Sequence, residues 1–375
     1  MPRTMIGDSR DLLAELAGWV ALETPSTDPA AVNRLADVAE DELGRAGAGI
    51  TRVPGQAGAG DTLMARSPGA GPAILVLAHL DTVWPTGTLA TMPYRVEGDR
   101  AHGPGIYDMK AGSFIAFHVL RSLLRQGIAT RRPIALMLTP DEEVGSPASR
   151  ALIEAEARQC CCALVLEPAA PGGACCTARK GVGRFTFRIT GRGAHAGNAF
   201  ADGASAVSEL ARQILAVGDL ADPARGVTLN VAPVWGGTRP NVIAAEAGGE
   251  IDLRVPDAAA GEQLTARLRA LAAVDPRCRV AVEGGMNRPP FAETEAIRAL
   301  HARAAALAAT IGFDLPKEAR GGGSDGNFTA ALGVPTLDGL GCPGAGAHAA
   351  HEHILWPHLA PRAALLAGLL EEMDA

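Results

Sequence analysis

The sequence predicts an α/β protein: a mostly parallel sheet flanked by helices, interrupted by a smaller α+β domain. Three observations predict it. Short, wholly apolar runs alternate with helix-length amphipathic segments through the first half of the chain. From Gly183 these give way to strict polar–apolar alternation, and after Pro290 the helix-and-apolar-run pattern returns. The length of 375 residues suits two domains, taking about 150 residues per domain as a prior.

The elements follow in order. Asp8 or Ser9 caps a first helix that carries Leu12, Leu13, Leu16 and Val20 on one face. Asp28-Pro29 opens a second, ending near Gly47. Ala73–Ala78 (AILVLA), Pro133–Thr139 and Ala163–Leu166 read as strands covered on both faces, with helices at 111–126 and 147–157 between them. Residues 184–190 (RFTFRIT) alternate as a strand with one wet face does. A helix near 203–217, strands near 227–235 and 248–256, a helix at 260–272 and a strand at 278–284 complete a β-α-β-β-α-β order. That is the order of a ferredoxin-like sandwich. The expected domains are therefore 1–177 with 289–375, and an insert at 178–288.

Composition narrows the function. A net charge of −7 opposes a nucleic-acid partner, which needs a basic face. Lys110, Lys180 and Lys317 are the only lysines and none follows a glycine, so the G-K-[ST] phosphate loop is absent. No apolar run approaches the ~18 residues of a membrane span. The start MPRTMIGDSRDLL lacks an apolar signal core, which predicts a cytoplasmic protein. Five of seven cysteines cluster at 160–162 and 175–176 without the paired spacing of a zinc site, so they are expected as buried, reduced thiols.

Sites in such sheets lie at the carboxyl ends of the parallel strands. AILVLA runs into His79-Leu80-Asp81, the next strand into Asp141-Glu142-Glu143, and ALVL into Glu167. Between them lies GPGIYDMK with Asp108, and VPTLD leads on to His348. One histidine or acid at a strand end is usually a structural cap. Several carboxylates and two imidazoles on one edge repel unless a cation offsets them, and that set suits zinc. The number of ligands suggests two ions, with Asp108 as the bridge. Adjacent Glu142 and Glu143 must diverge, so one can bind metal while the other acts as general base.

HLDT at 79–82, GPGIYDMKAG at 103–112, DEEVGS at 141–146, LEPA at 166–169, GRGAHAGN at 191–198 and GAGAHAAHE at 344–352 resemble the di-zinc aminoacylase/carboxypeptidase family. Its members include glutamate carboxypeptidase, acetylornithine deacetylase and succinyl-diaminopimelate desuccinylase. HLDTVWPTGTL and GPGIYDMKAG are most similar to the first of these. The resemblance implies a metal-dependent hydrolase of N-acyl amino acids or short peptides that carry a free carboxylate. It implies two zinc ions, with cobalt or manganese able to use the same ligands: His79, Asp108 and Glu167 for one, and Asp108, Glu143 and His348 for the other. The spacing of the last motif selects His348 over His351 and His353, with Glu352 in register. Glu142 becomes the base that activates a bridging water. Asp81 orients the ligand histidine, and the Asp108–Met109 peptide is cis. His195 is implied to reach across a homodimer formed by the insert, which acts as a lid, to steady the reacting carbonyl. Arg254 and Asn241 are implied to bind the substrate's carboxylate end.

Rival readings remain. Gly322–Gly326 fits G-x-S-x-G, with Asp338 and His348 following Ser324 in triad order. Against a serine hydrolase, no strand precedes this turn. Acyl transfer, or a metal-dependent binding role on the same fold, is the other alternative.

Overall fold

The computed structural model describes residues 2–373. Two compact units emerge, one from residues up to 178 with 293–320 and 324 onward, the other from 179–292 with 321–323.

The first unit is built on a six-stranded sheet in the order Gly49–Val53, Thr62–Arg66, Ile134–Thr139, Ala73–His79, Cys160–Val165, Thr336–Leu337. Thr62–Arg66 alone runs against the others, so the sheet is mainly parallel, as the sequence predicts. The apolar run of Ala73–His79 is uninterrupted because both of its faces are covered. Ile74, Val76 and Ala78 pack with helices Ser9–Val20, Pro29–Arg45, Ala111–Arg125, Glu295–Ile311 and Leu359–Glu372. Ala73, Leu75 and Leu77 face helices Arg150–Ala157 and Gly326–Ala331.

Local chemistry sets the ends of these elements. Asp8 caps the first helix by accepting from the N–H groups of Arg10 and Asp11, and Asp28 caps the second through Ala31. The helix expected from 147 begins at Arg150 instead. Asp141 takes the Ala148 N–H at 2.6 Å and the Ser149 hydroxyl at 2.5 Å, which holds the preceding residues in a turn. Cys162, Cys175 and Cys176 are buried as expected, but Cys160 and Cys161 are only half-buried, because they lie at the start of their strand.

A second, four-stranded sheet in this unit positions the site. Its order is Gly344–Ala345, His353–Leu355, Arg100–His102, Arg95–Glu97, all antiparallel. The hairpin 344–355 is thereby laid beside the strand that leads into Gly103–Lys110.

In the second unit, Thr228–Gly236, Glu246–Val255, Gly181–Thr190 and Arg279–Arg288 form an antiparallel sheet in that order. Phe185, Phe187 and Ile189 point into a core shared with helices Ala206–Gly218 and Ala258–Arg269, while Arg184 and Arg188 are exposed. This is the β-α-β-β-α-β order read from the sequence, with the sheet order of a ferredoxin-like sandwich.

Candidate metal centre

His79 ends its strand with its side chain buried. Its Nδ1 lies 2.9 Å from the Asp81 carbonyl and 3.4 Å from the Asp81 carboxylate. A proton on Nδ1, shared with that carbonyl, leaves the Nε2 lone pair free. Nε2 is buried, has no hydrogen-bond partner, and lies 3.4 Å from Asp108 Oδ1 and 3.8 Å from Glu167 Oε1. The Ser113 hydroxyl donates to the His79 carbonyl at 2.5 Å and fixes the strand end.

The other half is built from different segments. His348, at the tip of the hairpin, has a φ of 60°, a left-handed conformation uncommon outside glycine. Its Nε2 lies 3.3 Å from Asp108 Oδ2 and 3.1 Å from Glu143 Oε2. The two oxygens of Asp108 therefore face two different histidines. Buried Glu143 Oε1 has no hydrogen-bond partner. Two ligands of a tetrahedral zinc, each about 2.0–2.2 Å from the ion, sit about 3.4 Å apart. The nitrogen–oxygen separations of 3.1–3.8 Å bracket that spacing, and two orphaned ligand atoms point into the cluster, so these residues fit divalent metal.

Glu142 and Glu143 diverge along the turn Glu142–Val144. Glu143 reaches His348, while a carboxylate oxygen of Glu142 lies within 4.8 Å of ligand atoms on His79 and Glu167. Asp81 sets this turn. Its two carboxylate oxygens accept the N–H groups of Glu142 at 3.1 Å and Glu143 at 3.2 Å, and one also accepts from Ser26 at 2.6 Å.

Backbone approach explains the glycines. Gly105 has a φ of 70°, and a Cβ there would lie 2.3 Å from Thr82. A Cβ on Gly341 would lie 2.5 Å from the Leu166 carbonyl, and the Gly341 N–H donates to the Glu167 carbonyl at 2.9 Å. The Asp108–Met109 peptide is cis, as the resemblance implies.

Glu352 is the site residue to which sequence reasoning assigned no role. Its buried carboxylate accepts the N–H groups of Gly105 at 2.9 Å, Tyr107 at 2.9 Å and Asp108 at 3.0 Å, and Trp84 Nε1 at 2.7 Å. It anchors the loop that carries Asp108. Its register with His348 was the available signal.

Charges within the cluster are strongly coupled. Burial pushes the His79 imidazole down, but Asp108 and Asp81 outweigh it and leave it well above its ordinary value. Asp108 and Glu143 push His348 up to about 10. Burial would push Asp108 up, yet the two histidines hold it well below the usual carboxylate range. Burial raises Glu143. Protons thus gather between these carboxylates where cations would bind.

The second unit brings two of its three expected residues together. Exposed His195 lies on Ala194–His195, paired with Val242–Ile243, and the Asn241 carbonyl accepts the Ala196 N–H at 3.0 Å. His195 Nδ1 accepts from the N–H groups of Gly197 and Asn198, both at 3.1 Å, which leaves Nε2 as the donor. Arg254 stands apart, eight residues beyond the Glu246 end of its strand, or about 26 Å. Its fork is engaged bidentately by Asp252 at 2.7 and 2.8 Å.

The serine-hydrolase geometry is not formed. Buried Ser324 donates directly to Asp338 at 2.6 Å, where a triad would place histidine between the two. Of the remaining histidines, His118 and His301 each hold a backbone carbonyl at 2.9 Å. His353 is buried against His102, with ring centroids 5.2 Å apart, and His351 is exposed.

Residues 75–372 match peptidase family M20/M25/M40. The chain belongs to this family. It is 32% identical over 346 residues to carboxypeptidase G2 of Pseudomonas sp. (strain RS-16), covering 90% of this chain and 83% of that one. Among solved structures, aminopeptidase PepT from Bacillus cereus ATCC 10987 superposes with a TM-score of 0.80 at 23% identity, covering 98% of this chain and 99% of that one. An M20 family metallo-carboxypeptidase from Sulfolobus solfataricus gives 0.71 at 15%, over 95% and 98%. These two likenesses establish the fold. As a member of the peptidase family M20/M25/M40, the protein is a metal-dependent amidohydrolase of the exopeptidase type. No helix among the described residues is long and apolar enough to cross a membrane.

Proposed function

We propose that this M20 peptidase cleaves the amide bond of N-acyl amino acids or short peptides bearing a free carboxylate, as a carboxypeptidase or deacylase. The observation that carries this reading is Asp108, whose two oxygens face His79 and His348 while each histidine has a further acid beside it. His79, Asp108 and Glu167 would hold one zinc, and Asp108, Glu143 and His348 a second; cobalt or manganese suits the same donors. When bound, such ions polarise a carbonyl and make water acidic enough to deprotonate near neutral pH.

The chain's own residues supply the rest. Glu142 takes the proton from the attacking water at its carboxylate and returns it to the leaving nitrogen. Asp81 keeps Glu142 and Glu143 apart by holding both of their N–H groups. His195, with Nε2 as its donor, stabilises the oxyanion from the second copy of a homodimer assembled through the lid unit expected at 178–288. Asn241 and Arg254 bind the substrate's carboxylate end, Arg254 by exchanging Asp252 for the substrate. Seven cysteines in the thiol form suit a reducing compartment such as the cytoplasm.

The test is release of free amino acid from a panel of N-acyl amino acids and dipeptides, using the purified protein, the chelated protein and Glu142→Ala. Hydrolysis that is lost on chelation and in the variant supports the mechanism. Transfer of the acyl group to an added amine, without net hydrolysis, would move the reading to acyl transfer. Bound metal with turnover of no panel member would count for a binding role.

A further inference from the structure

Away from the metal cluster, a cavity of about 430 Å³ opens in the first unit, lined among others by Pro171, Phe313, Pro343, Leu355, His358 and Arg362. None of the metal-cluster residues lines it. Arg362 is only 2% exposed and sits in the first turn of helix Leu359–Glu372. Its Nη2 donates to the Gly173 carbonyl, while Nε and Nη1 are buried with no hydrogen-bond partner. Its Cζ lies 5.3 Å from the Phe313 ring centroid.

Among the described residues no carboxylate pairs with this guanidinium. Burial pushes the Arg362 guanidinium down, and the thiols beside it, Cys342 and Cys175, are themselves pushed up to about 12 by burial and so uncharged. Asp314, the acid on the cavity lining, is exposed to solvent. A buried cation with two unused donors is unfavourable unless an anion completes it. His358, at the N-cap of the same helix, also lines the cavity, so the positive end of the helix dipole adds to the field. The remaining walls combine glycine backbone at 172, 173 and 344 with the apolar side chains of Ala170, Pro171, Phe313, Pro343 and Leu355, which suit the apolar body of an organic anion.

We propose that this cavity binds a small organic carboxylate, with its charge on Arg362 and its apolar body against Phe313 and Leu355. Two walls belong to segments of the metal site: Ala170–Gly173 follow Glu167 closely, and Pro343–Gly344 shortly precede His348.

The experiment titrates metal-loaded enzyme with benzoate, hexanoate and inorganic phosphate, following thermal shift and ligand-observed NMR. Parallel runs use chelated enzyme, Arg362→Met, and Leu355→Trp, which fills the cavity but keeps the charge. The expected result is a carboxylate-dependent rise in melting temperature that grows with concentration as binding linkage requires. It survives chelation, which separates it from carboxylate bound at the metals, and it is lost in both variants. If Arg362→Met fails to fold, Leu355→Trp decides. No carboxylate binding, or binding undiminished in the folded variants, overturns the proposal. Binding of phosphate alone overturns the organic ligand in favour of an inorganic one.

Discussion

Replacing Glu352 by glutamine tests how the Asp108 loop is held. In the native protein one carboxylate oxygen accepts from Tyr107 and Asp108, and the other accepts from Gly105 and Trp84. A glutamine amide must turn its NH2 toward one of these pairs of donors, so two hydrogen bonds are lost whichever way it is placed. Bonds to a charged acceptor are worth about 1.5–3 kcal/mol each, so the expected loss is about 3–6 kcal/mol. That is a large part of the roughly 5–15 kcal/mol that stabilises a typical domain. Burial pushes Glu352 up to about 7, against the pull of its four donors, so the comparison belongs well above that pH, where the carboxylate is ionised. The assay is denaturant unfolding of metal-free protein together with zinc titration. Both stability and zinc affinity should fall, because either orientation releases N–H groups of the loop that carries Asp108. A variant with parental stability and unchanged zinc affinity would refute the anchoring role.

Other outcomes follow from the same geometry. His348→Ala removes the partner of Asp108 Oδ2 and Glu143, so on the proposed two-zinc site bound zinc measured by atomic absorption should fall from two ions to one per chain; retention of two would reject the half-site assignment. His348 is raised to about 10 in the metal-free protein, so its ion pairs are fully present below its ordinary value of about 6.5 and are lost as pH rises through about 10. Metal must displace that proton. Apparent zinc affinity should therefore climb with pH across the neutral range, by up to about tenfold per unit for each proton displaced, and calorimetry in buffers of different ionisation enthalpy would detect the release. A pH-independent affinity would contradict this. If His195 is the proposed oxyanion donor, His195→Ala should lower kcat by about 10²–10³ with little change in KM, since such a donor acts on the transition state. Ser324→Ala should retain turnover, because its hydroxyl is spent on Asp338 inside the protein; loss of kcat in a well-folded variant would revive the serine mechanism.

The strand ends and their acids were legible because the signals are local. Unbroken apolar runs mark doubly covered strands; His79 and Glu167 follow those runs directly in the chain, and Glu142 and Glu143 follow after Pro140-Asp141. Alternation at 184–190 likewise marked the one-faced sheet of the second unit, because side chains on a strand change face at every residue. Local signals did not show how Arg254 is held. A guanidinium at the right motif position says nothing about Asp252 two residues before it, and only the folded strand shows the two locked together. The Ser324 motif likewise has the right order of residues without the contacts of a triad.

Residue types, their order and the family were therefore determined by the sequence itself, since each depends on short-range pattern and motif spacing. The division of Asp108 between two histidines, the anchoring of its loop by Glu352, and the buried, unpaired charge of Arg362 were decided only by the tertiary structure. Each depends on groups tens to hundreds of residues apart meeting within a few ångströms. Such distances are set by the packing of the whole sheet and the 344–355 hairpin, and no local periodicity encodes them.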